Sequence, residues 1–200
     1  GKLYGIPQMY SSIDRVQFVW IRMDWLKYLI ENKPELGLTL EPKTVDDFLK
    51  IARAFNTQDP DNNGRDDTHG FSMQGNFWAA MGGLTGFFNM FDAYPNIWIE
   101  KGNKLEHGSI QPEIKNALSV LRQLYSEGVI VQDFAVKGEQ AIADEITMNK
   151  SGIIFGEQWL CAYPLQSLYN QNNNTEWKAF PLFHNGDNET KVQLSMGTYG

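Results

Sequence analysis

One ten-residue stretch constrains this chain more than any other: Asp59-Pro60-Asp61-Asn62-Asn63-Gly64-Arg65-Asp66-Asp67-Thr68. Oxygen-bearing side chains stand at loop positions 1, 3, 5 and 9, as Asp59, Asp61, Asn63 and Asp67. Gly64 falls at position 6, where a cation-binding loop turns sharply, and Arg65 at position 7 offers its backbone carbonyl. Calcium takes six to eight hard oxygens at roughly 2.3–2.6 Å, and this spacing wraps a chain around one ion. The loop departs from the full pattern at position 12, which is Gly70 and not the bidentate glutamate. Thr68, Asp66, water or a residue from elsewhere then has to complete the shell. The alternative is a solvated acidic turn, because Asp, Asn and Gly are ordinary turn residues. Acids this close repel one another without a cation, which favours calcium in a structural role. Zinc is disfavoured, since the loop offers no cysteine and His69 alone as a nitrogen ligand.

Around this loop, short apolar runs alternate with helical periodicity. Leu3 to Pro7 and Phe18-Val19-Trp20-Ile21 read as strands. A helix follows from Asp24, with Trp25, Tyr28 and Leu29 on one face. Thr44-Val45-Asp46-Asp47 is an N-cap with acids in the first turn, and Phe48, Ile51, Ala52 and Phe55 recur behind it at helical spacing. Phe71-Ser72-Met73 is a short strand candidate, and one or two short helices are expected between Asn76 and Phe91. Trp98 to Leu105 reads as a hairpin turning at Gly102-Asn103. The clearest helix runs from Pro112 to Glu127 on the stripe Ile114, Ala117, Leu118, Leu121, Leu124 and Tyr125, with Gly128 beyond its end. A further helix is expected over Glu139 to Asn149, a buried strand over Gly152 to Gly156, and a helix from Gln158 to Tyr169 disturbed at Pro164. The end, around Ala179-Phe180 and Val192 to Ser195, reads as extended. This alternation implies an α/β lobe with a short mixed sheet flanked by helices.

Composition narrows the function classes. The chain has 200 residues, of which 42% are hydrophobic, enough for a sizeable core. Its net charge of -7 and lack of a Lys/Arg run disfavour nucleic acid as a partner. No apolar run reaches the length of a membrane span, and no signal peptide is visible. The chain reads as a piece that opens in mid-fold. The one cysteine, Cys161, lies in an apolar stretch and reads as a buried small hydrophobe.

Several stretches, taken in order, resemble the family 1 extracellular solute-binding proteins of ABC transporters, which include the maltose- and alginate-binding proteins. Ile21-Arg22-Met23-Asp24-Trp25-Leu26 resembles the family's Arg-x-Asp-Trp-Leu segment. Pro42-Lys43-Thr44-Val45-Asp46-Asp47-Phe48 is similar to its helix start, and the loop from Asp59 to Thr68 to the calcium loop of alginate-binding members. Leu124-Tyr125-Ser126-Glu127-Gly128-Val129-Ile130 resembles a helix end, and Asn149 to Trp159 the strand that leads to a ligand-stacking tryptophan.

The resemblance implies one lobe of a two-lobed periplasmic-binding-protein-like fold. Residues 1–21 would be inter-lobe crossing strands and hinge, and residues 22–200 the C-terminal ligand-binding lobe, with the calcium loop at 56–70. It also implies an oligosaccharide ligand delivered to a membrane permease by a monomeric, extracellular, lipid-anchored parent protein (periplasmic in a Gram-negative cell). A sugar offers apolar CH faces to aromatic rings and a rim of hydroxyls to planar polar groups. On that basis the candidate ligand residues are Trp159, Trp78, Asn76, Gln74, Tyr10 and Glu157. Each has a duller reading, core packing for the tryptophans and loop capping for Gln74 and Asn76. Trp20, Trp25, Trp98 and Trp177 are assigned to the core or lobe surface.

Two other classes compete: a secreted glycoside-acting enzyme, and a lectin-like calcium-stabilised carbohydrate-binding module. Scattered carboxylates such as Asp14, Asp24, Glu100, Glu145 and Glu157 sit in no acid/base motif. His69, His107 and His184 lack Ser or Cys partners in any triad arrangement. Gly82-Gly83-Leu84-Thr85-Gly86 lacks the lysine of a phosphate loop. The chain is therefore not expected to be an enzyme.

Overall fold

In a computed structural model, residues 11–186 and 189–194 are described. Strand β1 (Phe18–Arg22) lies at the centre of a three-stranded sheet, between β4 (Ile153–Gly156) and β5 (Trp177–Phe180). Both pairings are antiparallel, with Val19 opposite Phe155 on one side and Phe180 on the other. The free edge of β4 is covered by residues 69–82. His69 and Ser72 bridge Ser151 and Ile154 in parallel, and Met81 bridges Gly156 antiparallel, so the assembly is mixed.

Alternation along β1 and β4 divides the core into two. Val19, Ile21, Ile153 and Phe155 enter the larger cluster, while Trp20 and Ile154 enter the smaller one. This is the period of two that places successive side chains on opposite sheet faces. The larger side is covered by α1 (Met23–Asn32), α2 (Val45–Thr57), α3 (Thr85–Asn89) and α4 (Pro112–Ser126). The smaller side is covered by α5 (Glu139–Thr147) and α6 (Leu165–Gln171). Phe48, Phe71 and Phe155 meet at the centre, with ring centroids 5.5–5.8 Å apart.

Local chemistry sets several boundaries where the sequence places them. Thr44 Oγ1 accepts the Asp47 N–H at 3.1 Å, and Asp47 Oδ2 accepts the Thr44 N–H at 3.0 Å, a reciprocal cap at the start of α2. Gly128, at φ 77°, ends the chain's longest helix in the left-handed conformation. The predicted hairpin is β2 (Trp98–Lys101) with β3 (Lys104–His107), turning through Gly102 at φ 65°.

Other expectations need correction. Phe71 to Met73 forms a single isolated bridge, Ser72 to Ile154, and not a strand, because the chain passes β4 for too few residues to build a ladder. The stretch from Gln158 is a single 3-10 turn, Gln158–Cys161, and α6 starts only after Pro164. That turn buries Leu160 and leaves Cys161 exposed, contrary to its reading as a core residue. The α4 stripe is narrower than its periodicity suggests. Ala117, Leu121 and Leu124 are buried, while Leu118 remains 45% exposed. Residues 192–194 carry no strand, whereas the short helix expected between Asn76 and Phe91 does form, as α3.

Candidate functional site

An open cavity of about 430 Å³ lies at the end of β4, lined by Asp14, Arg15, Trp78, Ala80, Glu157, Gln158 and Trp159. Two chain segments build it. One leaves β4 at Gly156 and turns at once into Glu157-Gln158-Trp159. The other is the edge-covering segment, held by the Glu157 N–H donating to Ala80 O at 3.1 Å and the Gly82 N–H donating to Phe155 O at 2.8 Å. Trp78 and Trp159 are thereby brought to one concave surface, although 80 residues separate them in sequence.

The two rings differ in setting. Trp78 is 46% exposed and rests on Phe88, centroids 6.0 Å apart. Trp159 is half-buried against the smaller core, and its Nε1–H donates to Glu157 Oε2 at 2.9 Å. Gln17, itself buried, braces the opposite wall: its Nε2 donates to Ala79 O at 2.9 Å while its Oε1 accepts the Gly86 N–H at 2.8 Å.

Two further predicted ligand residues, Asn76 and Gln74, do not line the cavity. Asn76 is exposed and caps its own loop, Oδ1 accepting the Trp78 N–H at 3.2 Å. Gln74 is 4% exposed and donates to Met81 O at 2.6 Å; it shapes the loop and does not line the cavity. Tyr10 falls outside the described residues. Sequence reasoning missed Arg15 and Gln17 and gave Asp14 no site role. The signal for all three was weak, since polar residues before a strand carry no periodicity.

The acidic loop lies at the other end of the lobe. Asp59, Asn62 and Gly64 adopt positive φ (47°, 53° and 74°), which coils the loop tightly. Asp59 accepts the N–H groups of Asn63 and Gly64 at 3.1 and 3.0 Å. Asn63 Nδ2 donates to Asp61 Oδ2 at 2.9 Å and to Asp67 Oδ1 at 3.2 Å, so an amide nitrogen stands between the two carboxylates. Arg65 donates its N–H to Asn63 Oδ1 at 2.7 Å. Asp61 Oδ1 is buried without a hydrogen-bond partner. Burial and the neighbouring carboxylates of Asp59 and Asp67 raise the Asp61 carboxyl above its ordinary pKa.

Among the described residues, no group of three or more His, Cys, Asp or Glu side chains is arranged to hold a metal ion. The loop's oxygens nevertheless fit a hard cation in kind, because an orphaned carboxylate oxygen beside two further carboxylates is what such an ion would relieve. Thr68 is turned away, its hydroxyl donating to Phe55 O at 2.8 Å. Gly70 is packed so closely on α2 that a Cβ would lie 1.8 Å from Ala52 O. The missing glutamate at loop position 12 is therefore a packing requirement.

No family model matches the chain. Its sequence is 33% identical over 155 residues to the lipoprotein LipO of Bacillus subtilis, an alignment covering 77% of this chain and 29% of LipO. It is 31% identical over 160 residues to the polygalacturonan/rhamnogalacturonan-binding protein YtcQ of the same organism, covering 78% of this chain and 29% of YtcQ. It is 32% identical over 138 residues to the fructooligosaccharide ABC transporter substrate-binding protein FusA of Streptococcus pneumoniae, covering 65% of this chain and 24% of FusA. The chain is a relative of the ABC-transporter substrate-binding proteins.

Two of these relatives, YtcQ and FusA, are named as binding proteins. The fold is that of one part of a two-lobed periplasmic-binding protein. The structure of substrate-binding FusA with kestose superposes with a TM-score of 0.72 at 22% identity, over 96% of this chain and 38% of FusA. An EF-hand mutant of FusA in complex with fructo-nystose superposes with a TM-score of 0.70 at 22% identity, again over 96% of this chain and 38% of that one. The chain spans between 24% and 29% of the length of the curated relatives it matches.

Proposed function

We propose that this chain is the C-terminal lobe of an extracellular, lipid-anchored carbohydrate-binding protein that delivers an oligosaccharide to an ABC permease. The observation that carries the reading is the convergence of Trp78 and Trp159 on one open cavity rimmed by Asp14, Arg15 and Glu157. Aromatic faces pack on sugar CH faces, and charged or polar groups around them bond hydroxyls. The sugar would lie between this cavity and a second lobe, and contacts to both lobes would stabilise the closed form that docks on the permease. In this division residues 1–21 lead in from the inter-lobe crossing and hinge, ending in β1 at the centre of the lobe's sheet, and residues 22–200 make up the rest of the lobe. The parent protein acts as a monomer. The names of LipO and FusA support the lipid anchor and the transport role.

The cavity's charge narrows the ligand. Asp14 and Glu157 outnumber Arg15 along its lining. A net acidic surface repels uronate polymers and favours neutral, hydroxyl-rich chains, closer to the named ligand of FusA than to that of YtcQ.

A structural calcium ion in the loop Asp59–Asp67 is part of the same proposal, with Asp59, Asp61, Asn63, Asp67 and the Arg65 carbonyl as ligands. The ion would supply the positive charge that the clustered carboxylates lack. Its support is the orphaned oxygen of Asp61 and the EF-hand named for a FusA structure.

Calorimetric titration of the full-length parent with neutral fructo- and gluco-oligosaccharides, and with oligogalacturonates, tests the reading. Binding to a neutral oligosaccharide without turnover is expected. Hydrolysis abolished by replacing Asp14 or Glu157 would convert the assignment to a glycosidase, and absence of binding to the whole panel would defeat it.

A further inference from the structure

One residue outside the acidic loop ties it to the lobe. Asn149 follows α5 and adopts a left-handed conformation at φ 62°. Its Nδ2 donates to Asp61 Oδ2 at 3.1 Å, and its Oδ1 accepts from Arg22 Nη1 at 2.7 Å. This orientation cannot be reversed. A guanidinium only donates and an ionised carboxylate only accepts, so the amide must present oxygen to Arg22 and nitrogen to Asp61.

Arg22 is itself fixed. It is 1% exposed, forks onto Asp24 through Nε and Nη2 at 2.9 and 2.6 Å, and lies 4.4 Å from the centroid of the Trp25 ring. Asp24 is held in turn by the Glu176 N–H, 3.1 Å from its Oδ1. A rigid chain of contacts thus runs from the start of α1 to the loop. Its last link takes one oxygen of Asp61, already shared with Asn63, and leaves the other buried and unpartnered.

We infer that Asn149 is a positioning residue for the loop's cation site. By clamping Asp61 Oδ2 it aims Oδ1 at a divalent hard cation, and Arg22 keeps the clamp in register. The inference rests on the calcium reading of the loop. Residues that orient metal ligands without touching the metal typically contribute about 10- to 100-fold to affinity, through the geometry and basicity they impose.

The test is calcium titration calorimetry on the full chain, wild type against Asn149→Gly, with melting temperatures in chelator as a second readout. Glycine tolerates the left-handed backbone, so the substitution removes the side chain without backbone strain, while also depriving the buried Arg22 Nη1 of its acceptor. The expected result is a calcium Kd raised about 10-fold or more, together with a lower melting temperature in chelator from the orphaned Arg22 donor. Asn149→Ser, too short to span Arg22 and Asp61, should behave likewise and replaces the glycine variant if that one does not fold. A wild-type chain that binds no calcium overturns the metal reading and this inference with it. A wild type that binds calcium, beside variants of unchanged Kd, overturns the role of Asn149 alone. A lower melting temperature in chelator with unchanged Kd marks a purely structural contact and likewise overturns it.

Discussion

Glu157 Oε2 accepts the indole N–H of Trp159 at 2.9 Å, across a single intervening residue. The ring's one polar atom is therefore satisfied locally, and its orientation at the mouth of the cavity is fixed. Replacing Trp159 or Trp78 with alanine in the full-length parent should cost about 1–3 kcal/mol of oligosaccharide affinity. Trp78 is 46% exposed, so its alanine variant should melt close to wild type. Trp159 packs partly on the smaller core and should lose some stability as well. Titration calorimetry and thermal melts on the same samples separate the two effects. Unchanged affinity in both variants would remove these rings from the site.

Calcium should raise the melting temperature, and Asp61→Ala should abolish the increment. Binding to the folded state alone stabilises by about 2.7 kcal/mol at 100 times the Kd. The pH dependence follows from the raised carboxyl of Asp61. In chelator, the folded chain holds that proton more tightly than the unfolded chain, whose ordinary value is 3.8. The contribution of Asp61 to stability is then fully present at low pH and is lost as pH rises through the raised folded value. The calcium increment should grow across that window. Melts in EDTA and in calcium over a pH series measure it, and a pH-independent increment would contradict the assignment.

Gly70→Ala should destabilise the lobe by about 1–3 kcal/mol, as overpacking does. The new Cβ would lie 1.8 Å from the Ala52 carbonyl oxygen and 3.1 Å from Val129 Cγ1. Backbone cannot yield as a flexible side chain would. Urea unfolding of the variant in chelator reads this cost apart from any effect on calcium.

Lys137 and Glu145 form an ion pair with side chains only 12% and 11% exposed, and Ser72 donates to the same carboxylate at 2.9 Å. Lys137→Met leaves a buried charge without its partner and should cost about 3–5 kcal/mol, whereas Lys137→Met with Glu145→Leu should recover much of it. The Lys137 carbonyl also accepts the Gly75 N–H at 3.1 Å, so the pair supports the loop that carries Trp78. Denaturation of the two single variants and the double variant completes the cycle.

Burial lowers the pKa of His69 below its ordinary 6.5, against the pull of the Glu145 charge. Unfolding restores the ordinary value, so below pH 6.5 the unfolded chain takes up more protons than the folded one. The contribution of His69 to stability is present above that pH and falls as pH drops toward the lowered folded value. His69→Gln should flatten the melting temperature between about pH 7 and pH 5. An unchanged slope would assign the acid sensitivity to other groups.

Much of the fold was legible because its causes are local. Thr44 and Asp47 cap a helix within four residues, and Gly102 and Gly128 turn the chain at positions that need positive φ. The ligand residues were less so. Gln74 and Asn76 looked like hydroxyl binders by type, but the structure uses both to hold their own loop. Cys161 looked buried by its neighbours, yet a single 3-10 turn swings it outward.

The sequence by itself determined α1, α2, α4 and α5, the hairpin and the spacing of oxygens around Gly64, since each depends on residues a few positions apart. Only the tertiary structure decided which aromatic rings meet, why position 12 of the loop is glycine, and that Asn149 clamps Asp61. Those outcomes depend on segments distant in sequence being packed on one sheet edge: residues 69–82 along β4, α2 against Gly70, and Arg22 beside the end of α5. Contacts of that kind leave no periodic trace, because the sequence records what each segment can form and the packed core selects what it touches.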